Sequence, residues 1–167
     1  MRLNSFRATQ RGAVLLTTVM LLVMLTVLAL TAVSMNRIQT RMAANSADYQ
    51  VAYHTAEGAL NQATNNLLAG MYAPGGFTAN TNGLYVFDPT SAPVWTVAST
   101  WSSSTGALTG FQGGSSASSR YVIEKLPAIV KPGQNMKTPT QVFRVTARAV
   151  GKSGNSPVVL QTTVQVQ

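Results

Sequence analysis

An uncharged apolar run near the N-terminus constrains this chain more than any other feature. Residues 13–33 contain no charged residue, no proline and no glycine. A helix needs about 20 mostly apolar residues, each rising about 1.5 Å, to cross a hydrocarbon core of roughly 30 Å. The run is therefore long enough to span a membrane. The rest of the 167-residue chain is enough for one small water-exposed domain.

The residues within and before this run fit a spanning helix. Four threonines interrupt it, but a threonine hydroxyl can bond the carbonyl one turn earlier, so it costs little in lipid. Arg2, Arg7 and Arg11 precede the run, and the next charge is Arg37. By the positive-inside rule, we expect the N-terminus in the cytoplasm and the bulk of the chain on the far side of the membrane, which in a bacterium means the periplasm or beyond.

A discarded secretory signal is the alternative interpretation of the same run. Such a signal has an apolar region of about 7–15 residues, followed by small residues at its cleavage site. Residues 29–35 do offer small side chains. The length of the run, and the helical pattern that follows it, favour a helix that is kept.

The helical pattern continues to about Gly70. No proline falls in residues 34–70, and apolar or small residues recur every three or four positions. One face of this amphipathic segment is expected to pack on the chain's own sheet. The residues expected to make this contact are Ala52, Ala56, Leu60 and Ala63.

The C-terminal half alternates in the manner of β-strands. Residues 121–126, 141–150 and 158–166 are rich in β-branched side chains, and a turn with two glycines joins the last two into an antiparallel hairpin. Three strands cannot bury a core alone, so the amphipathic helix should supply the second layer. Residues 92–100 are a further candidate strand between two Gly/Ser-rich loops.

Composition argues against several functional classes. The 12 Lys and Arg residues give a formal charge of +8 but are scattered, so no specific nucleic-acid role is expected. There is no cysteine, and His54 has Glu57 three residues away but no nucleophile or second ligand at a recognisable spacing. The four acidic residues are too dispersed for a calcium loop or a paired-carboxylate hydrolase. The Gly-Lys-Ser at 151–153 lacks the earlier glycine of a phosphate loop. We expect no enzyme, metal, cofactor or small-molecule substrate.

Glu57 allows two pairings. It lies on the polar side of the helix, beside the alanine-rich face. Within the chain it could form a salt bridge with Arg144 or Arg148, which we favour. The alternative partner is Arg37 or Arg41 of another subunit.

Several motifs resemble one family of pilins. The stretch RGAVLL at 11–16, after a short basic leader, resembles the class III signal of type IV pilins. AYHTAEGAL at 52–60, RYVIEKLP at 120–127, FRVTARAVG at 143–151 and VVLQTTVQV at 158–166 are similar to the PilX family of minor pilins. The resemblance implies an α+β pilin fold, in which a long N-terminal helix, transmembrane and then amphipathic, packs on a small antiparallel β-sheet.

The resemblance also implies processing by a prepilin peptidase, which cuts between Gly12 and Ala13 and leaves Ala13 to be N-methylated. The chain then divides into a cytoplasmic leader (1–12), a transmembrane segment (13–33), an amphipathic segment (34–70) and a β-rich head (71–167). Thr17 is the fifth residue of the mature chain, where major pilins carry a glutamate that pairs with a neighbour's terminal amine. The helix is expected to pack in the membrane or filament through Thr17, Leu21, Leu25 and Leu28.

The function implied by the resemblance is that of a non-enzymatic minor pilin. It would prime type IV pilus assembly in a tip complex with other minor pilins and a large tip adhesin, contact the major pilin, and support twitching motility and attachment. It would lie first in the inner membrane, in contact with lipid, and later at the pilus tip on the cell surface. The alternatives are a minor pseudopilin of a type II secretion system and a single-pass inner-membrane protein that never polymerises.

Overall fold

A long helix and a five-stranded sheet dominate the chain in a computed structural model, which describes residues 10–103, 105–112, 118–154 and 157–166. Helix α1 runs from Gln10 to Leu68. It ends in a Schellman motif, in which Gly70 takes a φ of +70° and the Met71 amide bonds the Asn66 carbonyl at 3.0 Å. The chain divides into two compact parts after Asn45.

The strands form one mixed sheet in the second part. They are β1 (Leu84–Val86), β2 (Leu108–Thr109), β3 (Ser118–Ile129), β4 (Thr140–Val150) and β5 (Val158–Val166). The predicted hairpin of β4 and β5 is confirmed, and β3 pairs antiparallel with the other side of β4. The other edge of β3 is shared by β2 and β1.

The expectation of a purely antiparallel sheet is wrong at β1, which pairs parallel with β3 through Leu84 opposite Ile123. Parallel neighbours need a long crossover between them. The chain supplies one here, because more than thirty residues separate the end of β1 from the start of β3. Within that crossover, β2 returns antiparallel to pair with Tyr121 and Arg120 of β3.

The candidate strand at 92–100 is also wrong. The segment forms a 3₁₀ turn at Val94–Thr96 and a short helix α3 at Ala98–Ser102; helix α2 lies earlier, at Pro74–Thr78. Pro93 precedes the turn with φ of −54° and cannot donate to a strand ladder. Trp101 is buried on the outer face of the sheet with Ala107 and Val122. Burial of that indole, and not the local alternation, sets the conformation.

The inner face of the sheet is covered by the last four turns of α1. A stripe of alanines faces it, and their small side chains let the helix backbone lie close to the strands. Ala52 and Ala56 pack with Ala149 and Val158. The larger cluster comprises Ala59, Ala63, Leu67, Phe77, Tyr121, Ile123, Phe143, Val145 and Ala147. The head therefore has α1 on one face and the α3 segment on the other.

Candidate assembly surfaces

The N-terminal part of α1 presents an extended apolar surface over residues 13–33. Every side chain in residues 12–45 is exposed. The helix Gly12–Leu68 has the length and composition to cross a membrane, with a mean hydropathy of 2.7 in its most apolar stretch. An exposed aliphatic surface of this extent marks a contact with lipid or with other helices.

The threonine hydroxyls add no unpaired polar group to this surface. Thr17 Oγ1 donates to the Val14 carbonyl at 2.9 Å, one turn earlier. Three further threonines in the run make the same bond at 2.7–2.8 Å: Thr18, Thr26 and Thr31. Because each hydroxyl is satisfied inside the helix, none needs a polar partner from a neighbour.

The residues predicted to pack in the membrane or filament lie on this surface. Leu21, Leu25 and Leu28 are 61%, 57% and 64% exposed, and their spacing aligns them with Thr17 on one stripe of the helix. Gly12 lies near the start of α1, and no atom would contact a Cβ added to it. Cleavage after Gly12 and methylation of Ala13 stay predictions, and leader residues 1–9 lie outside the described residues.

A buried ion pair bridges β3 and β4 on the outer face of the head. Arg144 Nε donates to Glu124 Oε2 at 2.8 Å, and Arg144 Nη2 donates to Oε1 at 3.0 Å. The Glu124 side chain is 2% exposed and that of Arg144 is 20% exposed. The guanidinium also lies over the Phe87 ring, 5.4 Å from its centroid. This fork satisfies both oxygens of a carboxylate that is almost fully buried.

The favoured pairing of Glu57 with Arg144 or Arg148 is therefore wrong. Glu124 holds Arg144, and Arg148 lies over the ring of Trp101. Glu57 Oε2 lies instead 3.6 Å from His54 Nδ1, with both side chains at least half exposed. Its pairing with an arginine of another subunit stays a prediction. Within the described residues, no group of three or more His, Asp or Glu side chains could hold a metal ion.

The loop that follows β4 closes on Asp48 of α1. The Ser153 amide and hydroxyl both donate to the Asp48 carboxylate, the hydroxyl at 2.5 Å. The hydroxyl bond is the largest cause that lowers the pKa of Asp48 below its ordinary 3.8, against the opposing effect of desolvation. A Cβ on Gly151 would lie 2.5 Å from Asp48 Oδ1, so only glycine allows this approach. The Gly-Lys-Ser sequence thus holds a carboxylate of its own chain.

Comparison with known protein families shows which family the chain belongs to. The PilX N-terminal family model matches residues 11–61, and the model described as type IV pilus assembly protein PilX C-term matches residues 39–166, well over half of the chain. The chain belongs to the PilX family. A search of curated proteins and a search of solved structures each gave no match.

Membership in the PilX family makes this protein a type IV pilus minor pilin, and a pilin works in contact with other pilins. The apolar part of α1 is the anchor helix expected of such a protein. The exposed aliphatic surface of α1 is open to contact with neighbouring pilins.

In this pilin, the four residues predicted to pack on the sheet lie against it. Ala52, Ala56 and Ala63 are each 0% exposed against it, and Leu60 packs at the edge of the larger cluster. Ala59, also fully buried, was missed. Its position three residues after Ala56 and four before Ala63 is the signal that could have found it.

Proposed function

We propose that this PilX-family pilin primes type IV pilus assembly as part of a tip complex with other minor pilins and a large tip adhesin, above the major pilin. By this role it supports twitching motility and surface attachment. The observation that carries the proposal is Thr17: an uncharged, internally bonded side chain on the exposed helix, at the position where major pilins carry a glutamate.

Assembly begins in the inner membrane, with the N-terminus in the cytoplasm and the head in the periplasm. Prepilin peptidase removes residues 1–12, and the new amine of Ala13 is methylated. The helix then leaves lipid for the filament. Its aliphatic side chains exchange lipid tails for neighbouring helices of similar polarity, so side-chain packing rather than the hydrophobic effect drives the transfer.

The absence of charge at position 17 suits a subunit that has nothing above it. A carboxylate at this depth needs a cationic partner, because an unpaired charge is costly both in lipid and in a packed helix bundle. In the filament shaft, the terminal amine of a neighbouring subunit supplies that partner. The hydroxyl of Thr17 is satisfied by Val14 and requires none.

Processing is tested by intact mass and N-terminal analysis of the protein from its native membranes, with and without the peptidase. A chain that starts at N-methylated Ala13 only when the peptidase is present supports the proposal. A chain that keeps Met1 would instead indicate a single-pass protein that never polymerises.

Position in the pilus is tested by immunogold labelling of sheared filaments, and priming is tested by deletion. Label at one end, with fewer pili per cell but normal pilus length after deletion, is expected because priming precedes elongation. Thr17→Glu should lower pilus number and Thr17→Ala should not. Label along the shaft, or full piliation with Thr17→Glu, contradicts the tip role. Loss of protein secretion with intact pili would point to a type II secretion pseudopilin.

A further inference from the structure

Two arginines face each other on the outer face of the head. Arg120 of β3 and Arg148 of β4 are register partners, and like charges directly opposite in a sheet repel. They lie on the same face as the Glu124–Arg144 pair, four residues further along the strands, or about 13 Å at a rise of ~3.3 Å per residue. This face therefore carries three guanidinium groups and one carboxylate.

Contacts with α3 hold both guanidinium groups in place. Arg120 Nη1 donates to the carbonyls of Trp101 and Ser103 at 2.8 and 2.7 Å. The guanidinium carbon of Arg148 lies 5.9 Å from the centroid of the Trp101 ring. A guanidinium has five N–H donors, and two bonds through one nitrogen or a stacking contact leave several of them available. The side chains are thus oriented, but these contacts do not neutralise their charges.

No Asp or Glu side chain among the described residues pairs with Arg120 or Arg148. Every acidic side chain of the sequence lies in the described residues, and each is bound elsewhere. The pairs are Glu124 with Arg144, Asp48 with Ser153, Asp88 with Thr90, and Glu57 with His54.

A cavity of about 100 Å³ opens between the two arginines, lined also by Trp101, Ser118 and Ser119. One water occupies about 30 Å³, whereas small-molecule pockets measure about 300–1,000 Å³. The cavity therefore has room for a carboxylate with one or two methylene groups and is too small for a cofactor. The fork geometry of arginine matches the two oxygens of a carboxylate.

We propose that this cavity, the Arg120–Arg148 site, binds the carboxylate of an aspartate or glutamate side chain on a partner protein. The bound carboxylate offsets the repulsion between the two guanidinium groups. Two oriented guanidinium groups in a partly enclosed cavity attract a carboxylate more strongly than a single exposed ion pair does. An isolated glutamate side chain should therefore bind weakly but saturably, and a partner protein would add further contacts around it.

The test uses the full ¹⁵N-labelled chain in detergent micelles, with the indole N–H of Trp101 and the side-chain N–H groups of Arg148 as reporters. The probes are the end-blocked tripeptides Gly-Glu-Gly and Gly-Gln-Gly and inorganic phosphate. Saturable shifts with the glutamate peptide alone, weakened about tenfold in Arg148→Gln, are expected for loss of a charge-assisted contact. The control Arg37→Gln removes the same charge from an exposed position on α1 and should bind as the wild type does.

Three results would overturn the proposal: equal shifts with the glutamine peptide, a response to phosphate alone, and no saturable shift with any probe. An Arg148→Gln variant that binds the glutamate peptide normally would also overturn it. Dispersed amide resonances in each variant show that it is folded. The site is independent of where the subunit sits in the pilus, so its failure would leave the tip role standing, and failure of the tip role would leave the site standing.

Discussion

Replacing Arg144 of the Glu124–Arg144 pair should cost more stability than replacing Glu124. Arg144→Met leaves the Glu124 carboxylate unpaired with its side chain only 2% exposed, and a buried charge without a partner costs about 3–5 kcal/mol. Glu124→Gln leaves an arginine that is 20% exposed and still stacked on Phe87. We expect that change to cost about 1–3 kcal/mol, the usual loss for an imperfectly paired polar group.

The double variant Glu124→Leu/Arg144→Met should recover most of the loss, because two apolar side chains remove both desolvation costs together. With a domain stability of about 5–15 kcal/mol, the single Arg144→Met change would remove a large fraction of it. In other proteins, replacing a buried ion pair by well-packed apolar residues has ranged from no loss of stability to a gain of about 4 kcal/mol.

Urea unfolding of the full chain in micelles measures these values through the fluorescence of Trp95 and Trp101, both of which lie in the head. Arg37→Met, at an exposed position on α1, is the matched control and should change stability by no more than about 0.5 kcal/mol. The reasoning is refuted if Arg144→Met costs no more than Glu124→Gln, or if the double variant is less stable than both single variants.

Three further predictions follow from other contacts. Asp48→Asn should destabilise the head at neutral pH. In urea titrations, the difference in stability from the wild type should vanish as pH falls below 3.8, because a carboxyl group with a lowered pKa stabilises the fold only while it is ionised. A difference in stability that persists at low pH counts against this. Gly151→Ala should cost about 1–3 kcal/mol by overpacking against Asp48, whereas Gly75→Ala, with no atom near the added methyl, should have little effect by the same titration. Ile123→Ala, at a fully buried site, should cost about 2–5 kcal/mol and Ile123→Val about 0.5–1.5, and equal losses would contradict the packing described.

Elements with a strong local pattern could be predicted from the sequence. The apolar run predicts an exposed helix, and the spacing of Ala52, Ala56 and Ala63 predicts a face that the structure buries completely. Alternating residues predict β4 and β5, whose joining turn contains two glycines. In each case the pattern repeats over several turns or strand positions, so local propensity and burial point to the same structure.

Features that depend on partners distant in the sequence could not be predicted. The three residues of β1 are too few to show a period, and their parallel pairing depends on β3. The helix α3 forms because Trp101 is buried on a sheet face that only the folded strands create. Glu124 and Arg144 lie twenty residues apart, and their contact depends on the register of β3 and β4. Charge alone could not distinguish Glu124 from Glu57 as the partner of Arg144.

The alanine stripe on α1 has a mechanical consequence. Because one face of residues 52–67 is buried in the interior of the head, α1 is connected to the head by packed side chains as well as by the peptide chain. A pull along the helix axis would have to slide both apolar clusters past the strands at once, which loads many contacts in parallel. The head can therefore bear tension through its core, where a flexible linker between anchor and head would pass the load through single backbone bonds.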